Sequence, residues 1–264
     1  MDLGLRGRVA VVTGASQGIG LATARLLAAE GAALVLCARN GVRLKAAAGE
    51  LERDGARVIP VPGDVLDPAL PFALVSAAAE FGDVGILVNN AGGESGHLGF
   101  EQLTDDAWEA AYRLNVVAAV RLIRAVLPGM RDLGWGRIVN VASYTAVVPE
   151  PFCLPYSAAK AALVSVTRGL ARTVSADGVL VNAVLPGLTA TDGAAEGFAK
   201  AIAVTGRSHG DLLAAMLRRA PIDMGRMGEP AEVAAMIAFL ASEQASWITG
   251  GAYVVDGGTV RSAF

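Results

Sequence analysis

The segment Thr13-Gly14-Ala15-Ser16-Gln17-Gly18-Ile19-Gly20 joins an apolar, β-branched run (residues 8–13) to an Ala/Leu-rich one (residues 19–30). A strand, a glycine-rich turn and a helix are expected in that order. Glycines let the backbone turn tightly and approach a pyrophosphate, and the following helix N-terminus offers free N–H groups and a favourable dipole. A glycine turn alone is a weak signal; between a strand and a helix it has the context it needs. The spacing is glycine, three residues, glycine, one residue, glycine. Gly14, Ser16, Gln17, Gly18, Ile19 and Gly20 are therefore expected to line a dinucleotide.

The same alternation continues outward. Residues 33–37, 57–61, 86–89, 137–141, 179–185 and 252–255 read as strands, and residues 42–54, 68–81, 157–175 and 230–241 as helices. Residues 105–132 hold one long helix or two, with Pro128 disturbing it late. Such alternation predicts an α/β fold: a single-domain, Rossmann-like, doubly wound parallel sheet with helices on both faces. Strands apolar at successive positions suit a sheet covered on both sides. No linker or low-complexity segment divides the chain, so residues 1–264 are expected to form one dinucleotide-binding and catalytic domain. Residues 187–228 are too long for a simple turn and are expected to form a substrate lid.

The 264 residues are 53% hydrophobic and 18% charged, with a net charge of −3. That is ample material for a core and no basic excess for nucleic acid or a membrane surface. No apolar run is long enough to span a bilayer. The opening Met1-Asp2-Leu3-Gly4-Leu5-Arg6 lacks the pattern of a signal peptide, so a cytoplasmic protein is expected. Cys37 and Cys153 form no CxxC pair, and with His97 and His209 they make no metal-ligand cluster, so no metal is expected.

Further motifs follow in order: Gly63-Asp64-Val65, Asn89-Asn90-Ala91-Gly92, Asn115, Ser143, Tyr156-Ser157-Ala158-Ala159-Lys160, Pro186-Gly187-Leu188-Thr189-Ala190-Thr191 and Val255-Asp256-Gly257-Gly258. With the glycine turn, this series resembles the short-chain dehydrogenase/reductase family, and within it the 3-oxoacyl-reductase-like branch. The resemblance runs along nearly the whole chain. It implies a catalytic tetrad of Asn115, Ser143, Tyr156 and Lys160. It implies that Asp64 and Val65 meet the adenine, that Asn90, Ala91 and Gly92 border the cofactor, and that Pro186, Gly187, Thr189 and Thr191 hold the nicotinamide carboxamide. In it Ser143 orients the substrate oxygen, Asn115 holds a water that links Lys160 to solvent, and Tyr156 and Lys160 also touch the cofactor.

The residues themselves suit carbonyl reduction. A ketone oxygen needs a proton as negative charge builds on it. A phenol with a pKa of ~10 is a poor acid and a poor base at neutral pH unless a nearby cation favours the phenolate. Tyr156 and Lys160 are four apart, hence on one face of a helix. Lys160 is one of only three lysines in a chain that otherwise uses arginine. Ammonium is a compact point charge that guanidinium replaces poorly. At the end of the second strand, Leu36-Cys37-Ala38-Arg39-Asn40 has Ala38 where NAD enzymes of the family carry an acid, and Arg39 next to it. That favours NADP(H) over NAD(H), with Arg39 and Asn40 near the ribose.

The expected reaction is NADPH-dependent reduction of a ketone to a secondary alcohol, with Tyr156 as proton donor. The rivals are a 3-oxoacyl-carrier-protein reductase, an NAD(P)-dependent alcohol dehydrogenase working oxidatively, and an idle dinucleotide-binding sensor or scaffold. Glu94, Tyr144, Val147, Phe152 and Leu188 are the candidate pocket walls, and the expected substrate is a free, largely apolar ketone. The fatty-acid branch places carrier-docking arginines at positions that here are Gly134 and Asp177, beside the site mouth, with Arg131 and Arg172 nearby. The resemblance also implies a homotetramer formed through residues 105–132, 157–175 and 252–264.

Overall fold

Successive residues of a strand face opposite sides of a sheet, and the first strand shows the consequence. Ala10 and Val12 join one buried core while Val9 and Val11 join another. The structure, a computed structural model, describes residues 2–93 and 99–261. The elements, in order, are β1 (Val9–Thr13), α1 (Gly18–Ala29), β2 (Ala33–Ala38), α2 (Gly41–Arg53), β3 (Val58–Pro62), α3 (Leu70–Ala78), β4 (Val84–Asn89), α4 (Asp105–Tyr112), α5 (Ala118–Asp132), β5 (Gly136–Val141), α6 (Leu154–Val174), β6 (Val179–Pro186), α7 (Asp192–Thr205), α8 (His209–Arg219), α9 (Pro230–Leu240) and β7 (Ala252–Val255). The seven strands form one sheet in the order β3-β2-β1-β4-β5-β6-β7, and all its pairings are parallel.

Helices α1, α2 and α9 cover one face with Leu27, Leu44, Leu51 and Ile237; α3, α5 and α6 cover the other with Leu74, Leu122, Val126 and Val174. The predicted fold class is the one observed. The strand order reverses between β1 and β4, so a crevice opens there at the carboxyl ends of the strands, where open α/β sheets bind ligands.

Three local expectations need correction. The helical stretch 105–132 is broken not at Pro128 but by a π-helical turn, Arg113–Val117, between α4 and α5. Pro128 lies inside α5. Its missing N–H strips only the Arg124 carbonyl of a partner, and Arg124 and Pro128 are both exposed, so water can serve that carbonyl. Helix α6 begins at Leu154 rather than 157, with Pro155 in its first turn, a position that suits proline. Helix α3 is shorter than residues 68–81 suggested, since Asp67 turns the chain before it by accepting from the Ala69 N–H at 2.9 Å.

Candidate functional site

Gly14 and Gly18 have φ of +66° and +57°, which a side chain rarely adopts, so the turn after β1 can be tight. Asn90 clamps it: its Nδ2 donates to the Thr13 carbonyl at 2.9 Å and to the Gly14 carbonyl at 3.3 Å. Thr13 Oγ1 accepts from the Asn90 and Ala91 N–H groups at 3.1 and 3.0 Å. A Cβ on Gly20 would strike the Gly14 carbonyl and, at 2.6 Å, Asn90 Nδ2. This is a backbone cradle with no room for side chains, opening onto the α1 N-terminus, and its donor chemistry fits a pyrophosphate.

The polar residues cluster after the carboxyl ends of β4 and β5. Asn115 is in the π-helical turn, a device common at functional sites. Its Nδ2 donates to the Gly93 and Ala111 carbonyls, each at 3.0 Å, and its Oδ1 accepts from the Gly93 N–H at 3.2 Å. A Cβ on Gly92 would lie 2.7 Å from Asn115 Oδ1 and 3.1 Å from Lys160 Nζ, so these three residues converge.

Lys160 is buried and its Nζ donates to the Val141 carbonyl at 2.7 Å. Burial alone pushes its pKa down to about 8, which leaves it mostly protonated at neutral pH. Tyr156 sits one turn earlier on α6, with Lys160 Nζ 5.5 Å from its ring centroid. Ser143 follows β5 in extended backbone; its Oγ accepts from Thr145 N–H at 3.2 Å and Oγ1–H at 3.0 Å. The four candidate catalytic side chains therefore lie on elements that meet at one end of the sheet.

Arg39 is exposed just past β2. Asn40 is spent on α2, its side chain accepting from the Arg43 N–H at 3.0 Å. Asp64 makes a turn by accepting from the Leu66 N–H at 2.9 Å, and Val65 is buried. The 187–228 segment is pinned at its base: Gly228 N–H donates to the Leu188 carbonyl at 2.9 Å and Ala190 N–H to the Gly228 carbonyl at 2.8 Å. Thr189 is buried, and Thr191 Oγ1 caps α7. Of the pocket candidates, Tyr144 is buried and its hydroxyl donates to the buried Glu150 at 3.3 Å, Phe152 and Leu188 are half-buried, and Val147 is exposed. Glu94 and His97 lie outside the described residues. Among the described residues no group of His, Cys, Asp and Glu could hold a metal, and no helix is long and apolar enough to cross a membrane.

Sequence reading missed Arg43. Its Nη1 reaches Gln17 Oε1 at 2.6 Å and Glu196 Oε1 at 3.1 Å, beside the glycine turn. The capping position of Asn40, which sets Arg43 in the first turn of α2, was the available signal.

Residues 8–202 match the family model described as short chain dehydrogenase. The chain belongs to this family. Its enzymes use NAD(P)H and act on carbonyl or alcohol groups. The chain is 41% identical to the cis-4-hydroxycyclohexanecarboxylate dehydrogenase of Sinomonas cyclohexanicum, over 95% of its own length and 96% of the relative's. The L-sorbose reductase of Gluconobacter frateurii, solved with NADPH and L-sorbose, is 40% identical, with a TM-score of 0.93 over 99% of this chain and 100% of that one. A 3-oxoacyl (acyl-carrier-protein) reductase of Agrobacterium tumefaciens C58 with NADP bound is 31% identical, with a TM-score of 0.86 over 97% and 95%.

The positions expected to flank the site mouth for carrier docking lie elsewhere. Gly134 and Asp177 precede β5 and β6, at the opposite end of those strands from Ser143. Six strand residues at ~3.3 Å each put them about 20 Å from it. They do not flank the mouth formed by this chain. Arg131 is also engaged, its Nε donating to Asp177 Oδ2 at 2.7 Å.

Proposed function

We propose that this protein is an NADPH-dependent reductase that converts a free ketone to a secondary alcohol. The observation that carries the reading is Lys160: a buried ammonium, one turn from Tyr156, at the point where Gly92, Asn115 and the end of β5 converge. When bound, the nicotinamide cofactor supplies the hydride. Tyr156 donates the proton to the developing alkoxide, and the Lys160 cation favours the phenolate left behind. Ser143 donates to the carbonyl oxygen, a contact that strengthens as charge grows there. Asn115 fixes Gly93 from both sides and so holds the loop after β4 against Lys160. Gly14, Ser16, Gln17, Gly18, Ile19 and Gly20 cradle the pyrophosphate; Pro186, Gly187, Thr189 and Thr191 border the nicotinamide.

Arg39, with Ala38 in place of an acid, supports NADPH over NADH, as do the two similar structures solved with NADPH and NADP. The substrate is a free ketone rather than a carrier-bound acyl chain. The likeness to a reductase solved with a free sugar supports this. The 187–228 segment is the lid. Residues 1–264 act as one domain, and the protein assembles as a homotetramer. Edge strand β7, with Val254 40% exposed and nearby Trp247 98% exposed, is the face best suited to pairing.

The test is NADPH oxidation with cyclic and hydroxylated ketones, compared with an acyl chain on its carrier protein and the same chain on a short thiol. Higher kcat/KM for the free ketones is expected. A strong preference for the carrier-bound chain, lost at high salt, would show the substrate reading to be wrong.

A further inference from the structure

Two carboxylates of α7 reach back onto the glycine turn. Asp192 Oδ2 accepts from the Gly18 N–H at 3.3 Å, and Glu196 Oε1 accepts from Arg43 Nη1 at 3.1 Å. Ser16, Gln17, Arg43, Asp192 and Glu196 line one open cleft of about 470 Å³. Both contacts put a lid anion on a donor beside the turn. Asp192 has a simple account, since an acid in the first turn of a helix is favoured by its dipole. Glu196 lies beyond the first turn and has no such account.

We propose that Arg43 is a second ligand for the 2′-phosphate of NADPH, beside Arg39, and that Glu196 holds it when no cofactor is bound. The lid helix and the phosphate then compete for one guanidinium. This rests on the NADPH reading above. Asn40 follows Arg39 directly and caps α2 through the Arg43 N–H, so the backbone of Arg43 is tied to the end of β2, where the family's ribose-binding position lies. Gln17 draws the guanidinium toward the glycine turn at 2.6 Å. The contacts to Gln17 and Glu196 both use Nη1, which leaves Nε and Nη2 to form a two-pronged contact with a phosphate. The Arg43–Glu196 pair is half exposed on both sides, 53% and 53%, so it is a weak contact that a dianion can displace.

The experiment is calorimetric titration of the full chain with 2′,5′-ADP and with 5′-AMP, which differ only in the 2′-phosphate, so no turnover is involved. Arg43→Met is expected to weaken 2′,5′-ADP roughly tenfold to a hundredfold while changing 5′-AMP little. Glu196→Gln is expected to tighten 2′,5′-ADP about two- to fivefold, and by less in the Arg43→Met background. Both side chains are half exposed, so the variants should fold, and their circular dichroism checks this. Equal affinity of the unaltered protein for the two nucleotides overturns the NADPH reading and this proposal with it. A 2′-phosphate preference that survives Arg43→Met but collapses in Arg39→Ala overturns this proposal alone. A Glu196→Gln gain of equal size in both backgrounds overturns the competition.

Discussion

Replacing Lys160 with methionine removes a charge that the fold buries at a cost, and the cost depends on pH. Burial pushes the Lys160 pKa from 10.5 to about 8. Below pH 8 the folded state carries the buried cation. Between pH 8 and about 10.4 the folded state has released the proton while the unfolded chain still holds it, so stability rises with pH. From pH 7 to pH 10 the rise from this residue is about 2–3 kcal/mol. Cys37 works in the opposite direction. Burial, with Asp64 nearby, pushes its thiol from 9.0 to about 12, so the folded state keeps a proton that the unfolded chain loses, and stability falls as pH rises above 9. The unaltered protein therefore shows the sum of two opposed slopes, and the difference from Lys160→Met isolates one. At pH 7 the variant loses the penalty, about 3 kcal/mol. It also leaves the Val141 carbonyl without its Nζ donor, a cost of about 1–3 kcal/mol. It should be as stable as the parent at pH 7, or slightly more so, and less stable at pH 10, with turnover lost at both. Urea unfolding of both proteins at the two pH values, without cofactor and at one protein concentration, measures this. A stability difference that stays constant from pH 7 to pH 10 would refute the depressed lysine and the reasoning built on it.

Tyr156→Phe should lower kcat by roughly 100-fold or more while the cofactor Kd stays nearly unchanged, since only the hydroxyl carries the proton; retention of more than a few per cent of turnover rules out Tyr156 as donor. Arg39→Ala should narrow the gap between NADPH and NADH affinity by roughly tenfold to a hundredfold, read by fluorescence titration, and equal affinities in the unaltered protein would sink the assignment. Light scattering at micromolar concentration should give the mass of a tetramer, and a stable monomer would contradict it.

Much of the fold was legible because each strand announces itself twice, by β-branched composition and by the turn residues that bound it. Strand β7 was read at its observed limits from Ala252-Tyr253-Val254-Val255, between Gly250-Gly251 and Asp256-Gly257-Gly258. The errors sit where composition is silent. Nothing in the composition of Arg113-Leu114-Asn115-Val116-Val117 marks a π-helical turn. Pro128 was read as a disturbance because a proline is visible in a sequence, whereas the solvent beside the carbonyl it strips is not.

The site divides along the same line. Of the candidates read from the sequence, the glycine turn, Asn90 and Ser143 follow strand ends, while Asn115 stands in a π-helical turn and Tyr156 and Lys160 on α6, elements packed beside those ends. Direction along a strand can also mislead. Gly134 and Asp177 stand close to Ser143 and the α6 helix in sequence, yet they lie at the other end of β5 and β6, since a strand carries its two ends about 20 Å apart. What the sequence hid is the contact between segments far apart in the chain. Arg43 and Glu196 are 153 residues apart, and Gly18 and Asp192 are 174 apart. No periodicity links them; only the folding of α7 over the turn does. There Asp192 accepts from the Gly18 N–H and Glu196 from Arg43 Nη1, both donors at or beside the glycine turn.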